Sequence, residues 1–150
     1  MPKAKTTWIL VADGSRARIL SHRTGERHFA QVRDFDAPDA RKHARDLTSD
    51  LPGRSLESAN AAHHAMEPRS DPHEQAEHAF LAGLAAEFGR AALSAAVDRV
   101  VVAAPPRAMA VLRKELDPRL RGKIAAELTK DLTKTPIAEL PEHFADLLPV

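Results

Sequence analysis

No cysteine occurs among the 150 residues. Its absence excludes disulfides, thiolate metal sites and a cysteine nucleophile, and fits a reducing compartment. A charge of one sign is missing too: 22 basic residues stand against 21 acidic ones, for a net +1. Composition therefore gives no electrostatic ground for nucleic acid or an anionic membrane as partner, and such a partner needs a local feature to bind. No run approaches the ~20 apolar residues of a membrane helix. The apolar run after Lys3 and Lys5 ends before Asp13 after roughly five residues, short of the ~7–15-residue core of a signal peptide. We expect no membrane insertion and a cytoplasmic location. There is also no Gly-x-Ser-x-Gly elbow and no Gly-x-x-x-x-Gly-Lys-Ser/Thr phosphate loop, which removes ordinary serine hydrolase and nucleotide hydrolase chemistry. Ser15, Ser49, Ser55 and the eight histidines are an inventory without an arrangement.

What is there begins with Thr7 to Leu20, where two apolar runs flank Asp13-Gly14-Ser15-Arg16. Trp8, Ile9, Leu10 and Val11 are good strand formers and Asp-Gly is a strong hairpin signal, so the stretch reads as strand, tight turn and strand. A third strand is expected at His28 to Phe35, with Phe29, Val32 and Phe35 as its apolar members and Thr24-Gly25 as the preceding turn. From Asp36 to Asp71 the pattern breaks into a polar stretch punctuated by Pro38, Pro52, Gly53 and Pro68, with a short helical pattern around Arg41 to Leu47. A connection this long is functional or flexible.

Asp71 is placed to cap a long helix, with Pro72 at its first position and Glu74 completing a capping-box-like start. The expected apolar stripe runs through Ala76, Phe80, Leu84, Phe88, Ala91 and Ala95. Val100-Val101-Val102, within Arg99 to Ala104, reads as a strand covered on both faces. Pro105 and Pro106 stop it and open a helix carrying Met109, Leu112 and Leu116. After breaks at Pro118 and Gly122 a fifth strand is expected over Lys123 to Leu132. A last helix follows, capped by Thr135 with Pro136 next and with Ile137, Leu140, Phe144 and Leu147 on its inner face. The order βββ, long loop, α, β, α, β, α predicts one α/β domain over 1–150. Its mixed five-stranded sheet would set three antiparallel strands beside parallel ones, the order of a ribonuclease H-like fold.

That fold suggests two-metal phosphodiester cleavage, which needs several carboxylates converging on one point. Asp13 fits the first position, but the fourth strand ends in Ala103-Ala104-Pro105-Pro106 and its only acid, Asp98, lies at the entering end, leaving Glu77 and Glu87 of the first helix without partners. Asp13 reads instead as the turn residue an Asp-Gly hairpin favours. His73-Glu74-Gln75-Ala76-Glu77-His78 misses both the His-Glu-x-x-His and the His-x-x-Glu-His zinc patterns by one residue. The pairs His73/Glu77 and Glu74/His78 read as surface partners at i,i+4. We expect no metal and no cofactor. Two loops remain. Ser49-Asp50-Leu51-Pro52-Gly53-Arg54-Ser55 combines a rigid Pro, a permissive Gly and an exposed Arg, suited to presenting guanidinium and backbone N–H groups to a phosphate or carboxylate. Asp131-Leu132-Thr133-Lys134 leads to a helix start that favours an anion. With Asp13 and Arg16, the candidate binding residues are Ser49, Asp50, Gly53, Arg54, Ser55, Asp131, Thr133 and Lys134.

At these residues the chain resembles the host attachment proteins, described as required for attachment to host cells. The resemblance runs through Trp8 to Ile19, Ser49 to Ser55 and Lys130 to Lys134, in that order. It implies kinship with the archaeal and eukaryotic class-1 peptide-release factors and similarity to their middle domain. In those factors a Gly-Gly-Gln loop helps water hydrolyse peptidyl-tRNA. This chain has no Gly-Gly-Gln; Gly53-Arg54-Ser55 is the nearest feature and lacks the glutamine, so we expect a non-catalytic protein. The resemblance implies a translation-associated role with the ribosome or tRNA as partner, attachment being an indirect consequence; on that reading the 36–71 stretch makes the contact, with Arg41, Lys42, Arg45 and Arg54 touching phosphates. The 36–71 stretch carries five basic and seven acidic residues and so encodes no uniform basic face. The alternative is a cytosolic protein-interaction or regulatory module that affects surface attachment through a protein partner without contacting RNA.

Overall fold

The computed structural model describes residues 4–36 and 72–148. One five-stranded sheet organises them, in the order β3-β2-β1-β4-β5. Strand β1 (Thr6–Ala12) pairs antiparallel with β2 (Arg16–Arg23), which pairs antiparallel with β3 (Ala30–Asp36). On its other side β1 pairs parallel with β4 (Arg99–Ala103), and β4 parallel with β5 (Ile124–Leu128). Two backbone-anchored contacts fix the start of β1 against β4: Thr6 N–H donates to Asp98 Oδ2 at 2.8 Å, and Asp98 N–H to the Thr6 carbonyl at 2.9 Å. The mixed sheet and its ribonuclease H-like order are those expected from the sequence.

Because successive strand side chains point to opposite faces, the apolar runs of β1 and β4 feed two separate cores. Trp8, Leu10, Val100 and Val102 face one, which is closed by helix α1 (Pro72–Ala95), α2 (Pro106–Glu115) and the single turn α3 (Pro118–Arg121). Ile9, Val11, Val101 and Ala103 face the other, closed by Leu132, Leu140, Phe144 and Leu148 from the C-terminal segment. β4 is thus covered on both faces, as its valine run predicts.

Several local expectations are corrected. Along α1 the buried residues are Leu81, Leu84, Ala85, Phe88, Gly89 and Ala92, while Ala76, Phe80 and Ala91 are half-buried and Ala95 is exposed. Steps of four drift around a helix of 3.6 residues per turn, and the mixed steps of three and four keep to one side. The third strand begins two residues later than expected, and its Val32 is 43% exposed on the edge of the sheet. The fifth strand stops at Leu128, where Lys130 N–H turns back onto the Leu128 carbonyl. Pro118 opens α3, with Asp117 as its cap: Asp117 Oδ1 accepts from Arg119 N–H at 2.8 Å. The last helix is not continuous. It is a 3₁₀ turn, Ile137–Glu139, followed by the single turn α4, Leu140–His143. Pro141 has no N–H to give to residue 137, and Thr135 does not cap the segment, whose start at Pro136 has no side-chain cap. The expected Asp71 cap, the short helix around Arg41 to Leu47 and the whole 37–71 connection lie outside the described residues.

α1 ends by a left-handed residue that is not glycine. Ala96 has φ 53°, Ala96 N–H donates to the Leu93 carbonyl at 3.2 Å and Val97 N–H to the Ala92 carbonyl at 3.3 Å, the paired bonds of a Schellman ending. On the exposed side of the helix, Glu87 accepts from Arg90 and Arg33, tying α1 to β3. The Arg90 hydrogen bond, with both guanidinium charges, holds the Glu87 carboxyl below the usual carboxylate range against the opposing effect of desolvation.

Two stability measurements follow from this packing. Phe144 is fully buried, with its ring 5.7 Å from that of Phe29, so Phe144→Ala should cost about 3–5 kcal/mol in urea unfolding followed by Trp8 fluorescence. A loss below about 1 kcal/mol would mean that the C-terminal segment does not seal that core. Ala96→Gly should instead gain about 0.5–1 kcal/mol, because glycine adopts the left-handed conformation without a Cβ clash.

Candidate functional site

The candidate site lies where β1 ends and β2 begins. The turn is closed by Asp13 N–H donating to the Arg16 carbonyl at 2.9 Å, and the Asp13 side chain reinforces it: Oδ1 accepts from the backbone N–H groups of Ser15 and Arg16, each at 2.8 Å. Its other oxygen, Oδ2, accepts from the Thr133 hydroxyl at 3.0 Å. Thr133 Oγ1 also lies 2.6 Å from Asp131 Oδ1, which takes the Thr133 N–H at 3.0 Å. One hydroxyl hydrogen is thereby shared between two carboxylates, on a threonine only 8% exposed. Asp13 is a turn builder with both oxygens engaged, as the hairpin reading expects.

Beside this junction Arg18 Nη1 donates to the Thr135 carbonyl. The two contacts bring the C-terminal segment over the start of β2, and a surface hollow of about 420 Å³ forms between them. It is lined by Arg16, Arg18, Asp34, Asp36, Thr133 and Lys134, with Ala17, Phe35 and Thr135 completing its wall. The strand register sets Asp36 opposite Arg16 and Asp34 opposite Arg18, so each arginine has an acid across the ladder, an arrangement that favours the pairing. Lys134 is the excess cation. Arg16 and Lys134 are exposed and form no salt bridge among the described residues. Planar guanidinium donors on a rigid strand, beside an ammonium, suit an oxyanion such as phosphate.

On the other side of the same turn a larger cleft of about 940 Å³ separates the starts of α1 and α2. Asp13, Ser15, Glu74, Gln75, Glu77, His78 and Arg107 are its polar members, above Leu81 and Val111. Glu74 pairs with Arg107 across the cleft, and His73 Nε2 lies 3.2 Å from Glu77 Oε2. The i,i+4 pair expected for His73 and Glu77 is present, whereas Glu74 reaches Arg107 and not His78. The Glu77 side chain lies over Gly14, where a Cβ would fall 2.4 Å from Oε2 and 2.8 Å from Cγ. Gly14 has no positive φ; the turn uses its missing side chain, not its conformational freedom.

Of the residues singled out from sequence, Asp13, Arg16, Asp131, Thr133 and Lys134 are brought to one edge of the sheet. Ser49, Asp50, Gly53, Arg54 and Ser55 lie outside the described residues. Sequence reasoning missed Arg18, Asp34, Asp36 and Arg107. The signal for Arg18 was available, since it follows Arg16 at the two-residue period that puts both on one strand face. Arg107 gave none, because its partner Glu74 is on another helix.

The fold and this charged edge define a ribonuclease H-like α/β domain with a polar junction between its first hairpin and its C-terminal segment. The chain matches the family described as "Protein required for attachment to host cells" over residues 8–144, and it belongs to that family. No curated protein matches it. Among solved structures it is similar to the archaeal translation termination factor aRF1, with a TM-score of 0.52 at 15% identity, covering 94% of this chain and 38% of that one. A second similar structure, described as an archaeal protein, has a TM-score of 0.49 at 12% identity and covers 94% and 37%. The chain therefore spans well under half the length of the structures it resembles.

The close approach at Gly14 can be tested by a double-mutant cycle. Gly14→Ala should cost about 1 kcal/mol, the low end of overpacking, because the obstructing atoms belong to a side chain able to swing into the cleft. In a Glu77→Ala background that cost should largely disappear. Additive effects in denaturant unfolding would show that Glu77 does not occupy the space above Gly14.

Proposed function

We propose that this is a non-catalytic, ribosome- or RNA-associated cytoplasmic protein that presents the Arg16, Arg18 and Lys134 edge of its sheet to phosphate, and that its part in attachment to host cells is indirect. The observation that carries this reading is the convergence of two charged segments, 120 residues apart at Asp13 and Thr133, into one hollow with guanidinium and ammonium donors. Phosphate contacts from such donors position a protein on nucleic acid without reading its sequence. The likeness of the fold to a translation termination factor agrees with it. The non-catalytic part rests on the missing Gly-Gly-Gln and on Asp13, whose two oxygens are both engaged in hydrogen bonds.

A second reading, a protein-interaction module acting without RNA, is favoured by Asp34 and Asp36, which give the same hollow carboxylates opposite its arginines. The two readings separate by salt and by nuclease. Ribosomes from a gentle lysate are sedimented with the native chain and with an Arg16→Ala/Lys134→Ala variant at ~50 and ~200 mM salt. The native chain should track ribosomal particles at low salt, lose that association at high salt, and lose it in the variant at either. A chain that stays at the top of the gradient under every condition overturns the RNA reading. A nuclease-resistant association with a protein selects the second one.

A further inference from the structure

Every backbone–backbone hydrogen bond made by Asp131 to Leu148 among the described residues is local, reaching two to four residues along the chain. The segment has no strand, and its regular structure is the 3₁₀ turn and the single α-turn. Yet among the described residues it supplies, with Phe29 beside it, the cover of the second core. Among the described residues no backbone–backbone hydrogen bond ties it to the sheet; it is held by Leu132, Leu140, Phe144 and Leu148 as apolar anchors and at one end by two polar tethers, the Thr133 hydroxyl to Asp13 and the Arg18 guanidinium to the Thr135 carbonyl. The opposite cover differs in kind, since α1 is a helix of 24 residues that supports its own ladder.

We infer that residues 131–148 form a strap that opens from the sheet as a separate cooperative unit, with the Asp13–Thr133 and Arg18–Thr135 contacts as its latch, and that occupancy of the charged hollow holds it closed. Short turns do not survive in water without tertiary contacts, so undocking exposes the strap's amides together. Opening carries Thr133, Lys134 and Thr135 away and dismantles the hollow, while α1, β1 and β4 keep their own ladders. A phosphate-bearing ligand that needs Arg16, Arg18 and Lys134 in one place binds only the closed form, and by linkage stabilises it. This second half rests on the reading given under Proposed function; the first half does not.

Hydrogen exchange followed by mass spectrometry on the full chain decides both. In the free protein the hydrogen-bonded amides of Thr135, Glu139, Phe144 and Leu148 should exchange together, well before those of β1, β4 and the middle of α1. Thr133→Val, which removes the hydroxyl tether, should speed the strap by about tenfold and leave β1 and α1 unchanged. Lys134→Ala, which lines the hollow without tethering, should leave the free strap's exchange as it was. Strap amides that exchange only at the rate of β1 and β4, or a Thr133→Val variant that speeds all segments equally, would overturn the inference. A twelve-residue oligouridylate is then added at about 100 times its dissociation constant, where strap exchange should slow by about 100-fold. Binding without slowing overturns the coupling. No binding at all counts against the RNA reading, and the free-protein comparison still stands or falls by itself.

Discussion

The constraint on which the structure turns is the burial of β1 on both faces and both edges. From Thr7 to Ala12 every residue of the strand is buried, with β2 hydrogen-bonded along one side and β4 along the other. A strand with apolar residues pointing both ways cannot lie at the surface of any domain. Two covers are therefore obligatory. α1 and α2 supply one and the C-terminal segment the other. The apolar residues of α2 and the phenylalanine of the last turn each bring a cover down on one of those faces.

The same constraint places the functional edge. Where β1 leaves the core it must turn, and Asp13 makes that turn by collecting two backbone N–H groups on one oxygen. Its second oxygen is left pointing toward the face that the C-terminal segment closes, and Thr133 meets it there. One carboxylate thus joins hairpin geometry to the docking of a segment far away in sequence. The charged hollow exists because that junction brings Lys134 alongside Arg16 and Arg18. Structure and candidate function are coupled through this carboxylate together with the Arg18 guanidinium, which holds Thr135 beside it.

The fold was legible in the sequence wherever periodicity and turn chemistry agreed. Trp8 to Val11, the Asp13-Gly14 turn and Val100 to Val102 carry a strong β signal, and their order with the intervening helix is enough for the mixed sheet. Legibility failed where a neighbour decided the outcome. The last helix is broken by Pro141, whose missing donor matters more than the apolar spacing of Ile137, Leu140 and Phe144. The tilt of α1 followed from which of two overlapping stripes meets the sheet, which spacing alone left open. Of the site, Asp13, Arg16, Asp131, Thr133 and Lys134 were visible as motifs, but their meeting was not. Asp34 and Asp36 acquired meaning only from the register of β3 against β2.

The parallel pairing of β1 with β4 also has a kinetic side. Thr6 and Asp98 are 92 residues apart and bond to each other, whereas β1, β2 and β3 are linked by short turns. Hairpin contacts close quickly and a loop of that length closes late. During synthesis the three-stranded meander is complete long before β4 emerges, with the apolar run Trp8 to Ala12 of β1 exposed along one unpaired edge. An edge of that kind is an invitation to pair with another chain. The interval between the emergence of β1 and that of β4 is thus the window in which this protein is most prone to aggregate and has most to gain from a chaperone.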